Sequence, residues 1–174
     1  MSTRPSSPPE RTRRRTPAAA PRLSGAELMD RTHREMLQAL VRMNELADLL
    51  ATPAHDTAAT ALAAPLCSFF NGPAREHHEA EETTLFPALL ASGSAGLRGQ
   101  VQRLQQDHRW LEEDWLELEP HLQAVASGYC DAHRDFLQPA LREYAGLCHE
   151  HMEFEESLMH HEARRGLVAA TPNP

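Results

Sequence analysis

Four long segments of this chain repeat their apolar residues at helical spacing, and this pattern limits the fold more than any other feature of the sequence. In the first segment Met36, Leu40, Met43 and Ala47 follow one another three or four residues apart. Turn-rich stretches separate the segments, and the sequence lacks the alternating pattern that is typical of β-strands. The spacing predicts helices over about 25–51, 57–91, 97–127 and 131–166.

Four long amphipathic helices with short connections predict an all-α fold, an up-down-up-down antiparallel four-helix bundle over residues 24–166. The sequence Asn71-Gly72-Pro73 predicts a kink or restart in the second helix, and Pro65 and Pro120 predict smaller disturbances. Residues 1–22 are rich in Arg, Pro and Ser and are expected to be a disordered tail. Residues 167–174 are expected to be a frayed tail.

Charge and cysteine content narrow the classes of partner and compartment. The net charge is −8, and because residues 1–22 carry +5, the remainder carries −13. Such an acidic body argues against nucleic acid as the main partner. The chain has no apolar run of membrane-spanning length and no export signal. Its three cysteines have no C-x-x-C spacing and are interpreted as free thiols of a cytoplasmic protein.

Each predicted helix places one histidine on its apolar stripe. These are His33, His77, His108 and His151. Three of them are followed four residues later by a glutamate, namely Glu81, Glu112 and Glu155. Positions i and i+4 lie on one face of a helix, one turn apart. Each such pair can therefore offer a nitrogen and an oxygen to the same metal cluster.

The four histidines also lie at similar levels of the predicted bundle. Counted from their common end, they are nine, fourteen, twelve and fifteen residues away, a band of roughly 9 Å. Imidazoles and carboxylates are costly in a core unless they are paired, and metal coordination removes this cost. Bridging carboxylates favour two metals, and helix bundles build di-iron sites in this way. The sequence therefore predicts two iron ions, with manganese or zinc as weaker alternatives.

Two motifs resemble those of a known family. The stretch HHEAEETTLFP, residues 77–87, resembles the H-x-x-x-E-E-x-x-L-F-P signature of hemerythrin-like (HHE) cation-binding domains, and HMEFEESLM, residues 151–159, repeats its H-x-x-x-E-E part. The resemblance covers about residues 24–166 and implies a non-haem di-iron site, with Glu81 and Glu155 as bridges. The ligands that it implies by position are His33, His77, Glu81, His108, His151 and Glu155. His78 and Glu82 form a second register that matches the signature less well.

The chain departs from the oxygen-carrying members of that family. They carry H-x-x-x-H on the third helix, where this chain has Glu112, and H-x-x-x-x-D on the fourth, where either Glu155 or Glu156 fits. Glu112 and Glu156 are thus additional candidate ligands. Fewer imidazoles and more carboxylates should favour oxidised iron and weaken reversible O2 binding.

The resemblance implies a protein that binds or responds to O2, nitric oxide or peroxide, or that handles iron. It is expected to be a metal-binding or sensing protein rather than an enzyme. Two other functions stay open at this point. One is a di-iron oxidase or peroxidase that uses an open coordination position. The other is a metal-free helical interaction module, in which the histidines and glutamates would face solvent.

Overall fold

The protein is an all-helical bundle in the part of the chain that the structure describes. A computed structural model describes residues 25–91 and 95–164, with side chains from residue 31 onward. The elements are α1 (Gly25–Leu49), a 3-10 helix (Pro53–His55), α2 (Asp56–Asn71), α3 (Pro73–Ala80), a π-helical turn (Glu81–Leu85), α4 (Phe86–Ala91), α5 (Ala95–Ala126) and α6 (Arg134–Arg164). The predicted all-α class is confirmed. The predicted tails, 1–22 and 167–174, lie outside the described residues.

The elements group into four long helical segments, of which α2, α3, the π-helical turn and α4 together form the second. The first segment packs against the second and the fourth, and the third packs against the same two. The four segments therefore surround one interior. Among the described helices none is long and apolar enough to cross a membrane.

The second segment breaks where the sequence predicts, because α2 ends at Asn71 and α3 begins at Pro73. Pro65 and Pro120, in contrast, lie inside α2 and α5 without ending them. A proline removes a single backbone donor, and the fully packed neighbours of Pro120, Leu118 and Leu122, hold α5 against the core on both sides. The predicted disturbance at these two prolines is therefore not seen as a helix end.

A π-helical turn begins inside the HHEAEE motif, at Glu81, and extends to Leu85. The N–H of Phe86 donates to the carbonyl of Glu81, five residues earlier, and Pro87 follows with no N–H of its own. Turns of this kind are commonly found at functional sites, because the extra residue changes which side chains share a face. Here the buried Glu81 is the first residue of the turn, and the buried Phe86 follows its last residue.

A layer of buried ionisable side chains divides the apolar interior into two clusters. The larger cluster extends from Met36 and Met43 on α1 to Tyr144 and Met152 on α6. The smaller cluster comprises Phe86, Leu89, Leu97, Val101, Leu104 and Leu158. Along α5 the order is Leu104, His108 and Leu111, all buried. The ionisable layer is therefore enclosed above and below by apolar side chains.

The smaller apolar cluster should contribute strongly to stability. Leu104 is fully buried in it, and we expect Leu104→Ala to lower the free energy of unfolding by about 2–5 kcal/mol, because the cavity cannot collapse completely. Leu116 on the same helix is 63% exposed, and Leu116→Ala should change stability by less than about 0.5 kcal/mol. Urea unfolding followed by circular dichroism measures both. Equal losses for the two variants would contradict this description of the core.

Candidate metal centre

Six ionisable side chains from all four helical segments meet in the interior. They are His33, His77, Glu81, His108, His151 and Glu155, and each is at most 8% exposed. Each lies on the apolar stripe of its own helix, which is why packing the four stripes together brings them into one layer. This layer contains the six ligands that the sequence resemblance implies by position.

The first group of donors comprises His33, His77, Glu81 and Glu155, and one donor atom from each lies within 4.8 Å of the others. The Nε2 atoms of His33 and His77 are 2.9 Å apart. Nε2 of His33 also lies 3.2 Å from a carboxylate oxygen of Glu155, and Nε2 of His77 lies 3.2 Å from Oε1 of Glu81. Two imidazoles and two carboxylates thus converge on one small volume.

The second group comprises His78, His108 and His151, and one nitrogen from each lies within 4.8 Å of the others. The ring of His78 stacks on that of His108, with centroids 4.2 Å apart. The ring of His151 meets that of His108 edge to face at 4.8 Å. This group therefore consists of three imidazoles from α3, α5 and α6.

Glu81 lies between the two groups. Its Oε1 faces His77 of the first group, and its Oε2 is 3.3 Å from Nε2 of His108 in the second. A carboxylate with one oxygen directed to each of two donor groups has the arrangement of a bridging ligand. The position of Glu81 in the π-helical turn, four residues after His77, allows both contacts.

A second set of carboxylates contacts the outer nitrogens of the imidazoles. Nδ1 of His108 donates a hydrogen bond to Glu82, 3.1 Å long, and Gln105 donates to the other oxygen of Glu82 at 2.7 Å. Nδ1 of His33 is 3.6 Å from Glu156. Carboxylates in such positions fix the tautomer and the orientation of a metal-binding imidazole.

His151 has a similar outer contact, since its Nδ1 is 3.8 Å from a carboxylate oxygen of Asp107. The two Glu-Glu pairs of the sequence thus divide their roles. Glu81 and Glu155 point into the donor groups, whereas Glu82 and Glu156 contact the outer nitrogens of His108 and His33. Adjacent residues of a helix project about 100° apart, so one dipeptide supplies both an inner and an outer carboxylate.

The two inner carboxylates differ in proton affinity. Burial and the nearby Glu155 raise the pKa of Glu81 well above its ordinary value. Burial also acts to raise the pKa of Glu155, but the His33 imidazole and Glu81 outweigh it and hold that pKa below its usual range. In the metal-free layer Glu81 therefore holds a proton more readily than Glu155 does.

The imidazoles are similarly divided. Burial lowers the pKa of His33, but Glu155 and Glu156 outweigh burial and raise it above 6.5. Burial lowers the pKa of His77 and of His151 to about 4 in each case. Near neutral pH the latter two imidazoles are therefore uncharged and have a lone pair to offer to a metal.

Several buried nitrogen and oxygen atoms of the layer, which could bind a metal, make no hydrogen bond of good geometry within the described part of the chain. They are both carboxylate oxygens of Glu81 and of Glu155, Nε2 of His108, and both ring nitrogens of His151. Buried polar atoms are normally hydrogen-bonded, and an unmade bond is costly. Two imidazole nitrogens bound to one metal lie about 3 Å apart, which is the separation of His33 and His77. The layer therefore fits metal ions.

Comparison with known families agrees with this geometry. The family model described as the hemerythrin HHE cation binding domain matches residues 24–163. The chain belongs to this family. The match includes every residue of the ionisable layer, so the family and the donor groups both indicate metal binding. No curated protein and no solved structure was found to match the chain.

Two further ligand candidates of this hemerythrin HHE domain lie outside the two donor groups. Glu112 is 51% exposed, and its carboxylate accepts a hydrogen bond from Arg75 at 2.7 Å, so the structure does not bring it to either donor group. The i+4 spacing from His108 sets its helix face but not its rotamer, and the guanidinium holds the side chain at the surface. Glu156 is about half exposed and lies beside the outer nitrogen of His33.

Three residues of the HHE site lie outside the ligand set that the sequence analysis put forward. His78 joins the second donor group, and Glu82 and Asp107 contact the outer nitrogens of His108 and His151. The signal for His78 and Glu82 was present, since they form the second H-x-x-x-E register of HHEAEE. Asp107 directly precedes His108 and had no comparable signal.

A cavity of about 420 Å³ reaches the HHE site from the side. His78 and His108 form part of its wall, and the apolar side chains Phe70, Leu111 and Trp115 form another part. The exposed pair Arg75 and Glu112 also lines it, so the cavity extends from the surface to the second donor group. It is large enough for a small molecule.

The metal-free domain should lose stability in acid partly through His151. Its pKa is about 4 in the folded protein against 6.5 in the unfolded chain, so the folded state binds fewer protons between these values. Stability from this group is complete above pH 6.5 and is lost as the pH falls toward 4. His151→Gln should therefore remove a pH dependence of the free energy of unfolding of up to about 1.4 kcal/mol per pH unit.

The measurement is urea unfolding of the chelator-treated protein at several pH values between 4 and 7. His151→Gln should flatten the pH dependence relative to the parent. His149→Gln is the control, because His149 is about half exposed and faces away from the layer. An identical slope in His151→Gln and the parent would show that this imidazole is not held neutral by burial.

Proposed function

We propose that this hemerythrin HHE domain is a non-haem di-iron protein that binds or responds to O2, nitric oxide or peroxide, or that handles iron. The main support is the position of Glu81, which directs one oxygen to each of two imidazole groups. A single metal would need only one of these groups. The proposed ligands are His33 and His77 for one ion, His108 and His151 for the other, and Glu81 and Glu155 between them.

The choice of iron rests on the donor set. Imidazole nitrogen suits iron, zinc, copper and nickel, whereas carboxylate oxygen favours harder ions such as manganese. A mixed set with two inner carboxylates favours iron, with manganese and zinc as weaker alternatives. The thiols of Cys67, Cys130 and Cys148 are not in either donor group, so a soft thiolate site is not proposed.

The proposed arrangement of the helices is the up-down-up-down antiparallel order. Asp48 contacts Arg142, and His33 contacts Glu156, so residue numbers rise along α1 as they fall along α6. The same holds for the second and third segments, where Asn71 contacts Glu119 and Glu82 contacts Gln105. In this order both ends of each segment lie near its neighbours, and the four histidines fall at one level.

The side chains around the layer would orient the ligands and limit access of water. Glu82, Asp107 and Glu156 hold the outer nitrogens of three imidazoles, so that the inner nitrogens face the carboxylates. Phe86 stacks on the ring of His108, with centroids 5.4 Å apart, and closes the layer on one side. Bound iron would supply the redox chemistry and a coordination position for a small ligand.

The cavity beside the second donor group supports a small-molecule ligand. Its wall combines the imidazoles of His78 and His108 with aromatic and aliphatic side chains, and it also includes charged side chains such as Arg75 and Arg109. Diatomic molecules and hydrogen peroxide are small and carry no net charge, so they can enter along the apolar part of this wall.

The same geometry bears on the two alternatives. A di-iron oxidase or peroxidase would use the same ligands and the same cavity, and sustained turnover with a reductant would distinguish it from a binding or sensing protein. A metal-free interaction module would need His33, Glu81 and Glu155 to face solvent, whereas all three are buried. The metal-free reading is therefore the weakest of the three.

The proposal also includes a cytoplasmic location and a division of the chain into an arm and a metal-binding domain. All three cysteines are unpaired and buried, which supports a reducing, cytoplasmic location. The acidic body supports small ligands and not nucleic acid as partners. We propose that residues 1–22 are a solvated arm and that residues 24–166 form the metal-binding domain.

Anaerobic loading with ferrous iron tests the proposed function. After removal of free iron, elemental analysis should give about two irons per chain, as in other di-iron bundles, and admission of air should change the visible spectrum. A folded helical protein that retains no iron would refute the proposal. Parallel loading with manganese and zinc shows whether iron is preferred.

The proposed ligands should be individually required. We expect His77→Ala and His151→Ala each to lower the iron content to half or less, because each removes an imidazole from a different donor group. Metal binding stabilises the folded state, so the iron-loaded variants should also melt at lower temperatures than the parent. His149→Ala, at an exposed position of α6, is the matched control. Unchanged iron content in both variants would overturn the ligand assignment.

A further inference from the structure

The histidine pair His77-His78 sends its two imidazoles to different donor groups. His77 lies with His33, Glu81 and Glu155, and His78 lies with His108 and His151. Neighbouring residues of a helix project about 100° apart. Both imidazoles can therefore reach the interior only if the two donor groups lie between the directions of the two side chains. Their ring centroids are 5.7 Å apart. One short element therefore borders both groups.

The third helical segment, α5, gives the second donor group one side chain, although the spacing of His108 and Glu112 suggests two. His108 and Glu112 lie one turn apart on α5 and could both face one metal. Instead the Glu112 side chain contacts Arg75 at the surface. Without another donor, the second group would hold two imidazoles and the first group would also hold two.

We infer that His78 is a third imidazole ligand of the second metal and takes the place that the residue one turn after His108 would otherwise hold. This inference rests on the proposed function and extends it. His78, His108 and Glu112 line the same cavity, so a donor at position 112 and the imidazole of His78 approach His108 through the same space. The chain thus supplies from α3 a ligand that its α5 does not provide.

The inference makes the two metals unequal. The first would be held by two imidazoles, and the second by three, with Glu81 directed to both. His78 is only partly buried and forms part of the cavity wall, whereas His33 and His77 are buried. A ligand that enters through the cavity therefore meets the imidazole-rich metal first.

The test compares iron content in the full-length chain after anaerobic loading with ferrous iron and desalting. The parent should retain about two irons per chain. His78→Ala should lose about half of its iron, and His149→Ala should lose none. Circular dichroism of the metal-free proteins checks that each variant is folded, and His78→Gln provides a second variant that keeps the polar volume.

A double variant tests whether an imidazole at position 112 can replace the imidazole of His78. Glu112→His in the His78→Ala background places an imidazole one turn after His108, and it should restore the second iron. The exposed ion pair between Arg75 and Glu112 contributes little to stability. Its loss in Glu112→His alone should therefore leave the protein folded with the parental iron content. A residue that only supports packing at position 78 would not be replaced by an imidazole on another helix.

The outcomes separate this inference from the proposed function. A parent that retains no iron refutes the di-iron function and the inference with it. A parent with about two irons, together with His78→Ala and His78→Gln variants that also retain two, overturns the inference alone. A double variant that stays at one iron also overturns it, because the two positions would then not be equivalent.

Discussion

The carboxylates of Glu81 and Glu155 are buried among imidazoles in the middle of an apolar bundle, and the rest of the structure depends on how that burial is compensated. A buried ion that lacks a partner costs several kcal/mol, and the two apolar clusters on either side leave the layer little access to water. Bound metal ions would satisfy the carboxylate oxygens and the inner imidazole nitrogens together. Folding and metal binding are therefore expected to be coupled in this domain.

The repeated dipeptides of the two motifs have a structural explanation. In Glu81-Glu82 and in Glu155-Glu156 the first carboxylate points inward and the second contacts the outer nitrogen of a histidine on a neighbouring helix. These two helical segments therefore position donor side chains that other helices carry. A change in one helix would disturb the orientation of donors on the next, so the site and the packing of the bundle cannot be varied independently.

The π-helical turn connects this arrangement to the local sequence. Pro87 has no N–H, and the turn before it is widened at Glu81–Leu85. The wider turn separates the donors His77, His78 and Glu81 from Phe86, whose ring packs on His108 from the smaller apolar cluster. The donor-bearing and core-forming halves of HHEAEETTLFP are thus joined by this π-helical turn.

Much of the site could be predicted because helical periodicity assigns a residue to a face without knowledge of the fold. His33, His77, His108 and His151 lie on apolar stripes, and four apolar stripes have to face one another. The same rule cannot give a rotamer. Glu112 is on the predicted face of α5, yet its flexible side chain turns to Arg75, and only the packed structure brings that guanidinium within reach.

The sequence by itself determined the all-helical class, the break at Asn71-Gly72-Pro73, and the four histidines that meet in the ionisable layer, because these follow from local spacing and from the cost of burying unpaired charge. The resemblance to the family added Glu81 and Glu155 to them. The tertiary structure decided which donors share a group, which carboxylates lie outside, and that His78 joins His108 and His151. These depend on distances between side chains of different helices, and such distances are set by how the helices pack against one another.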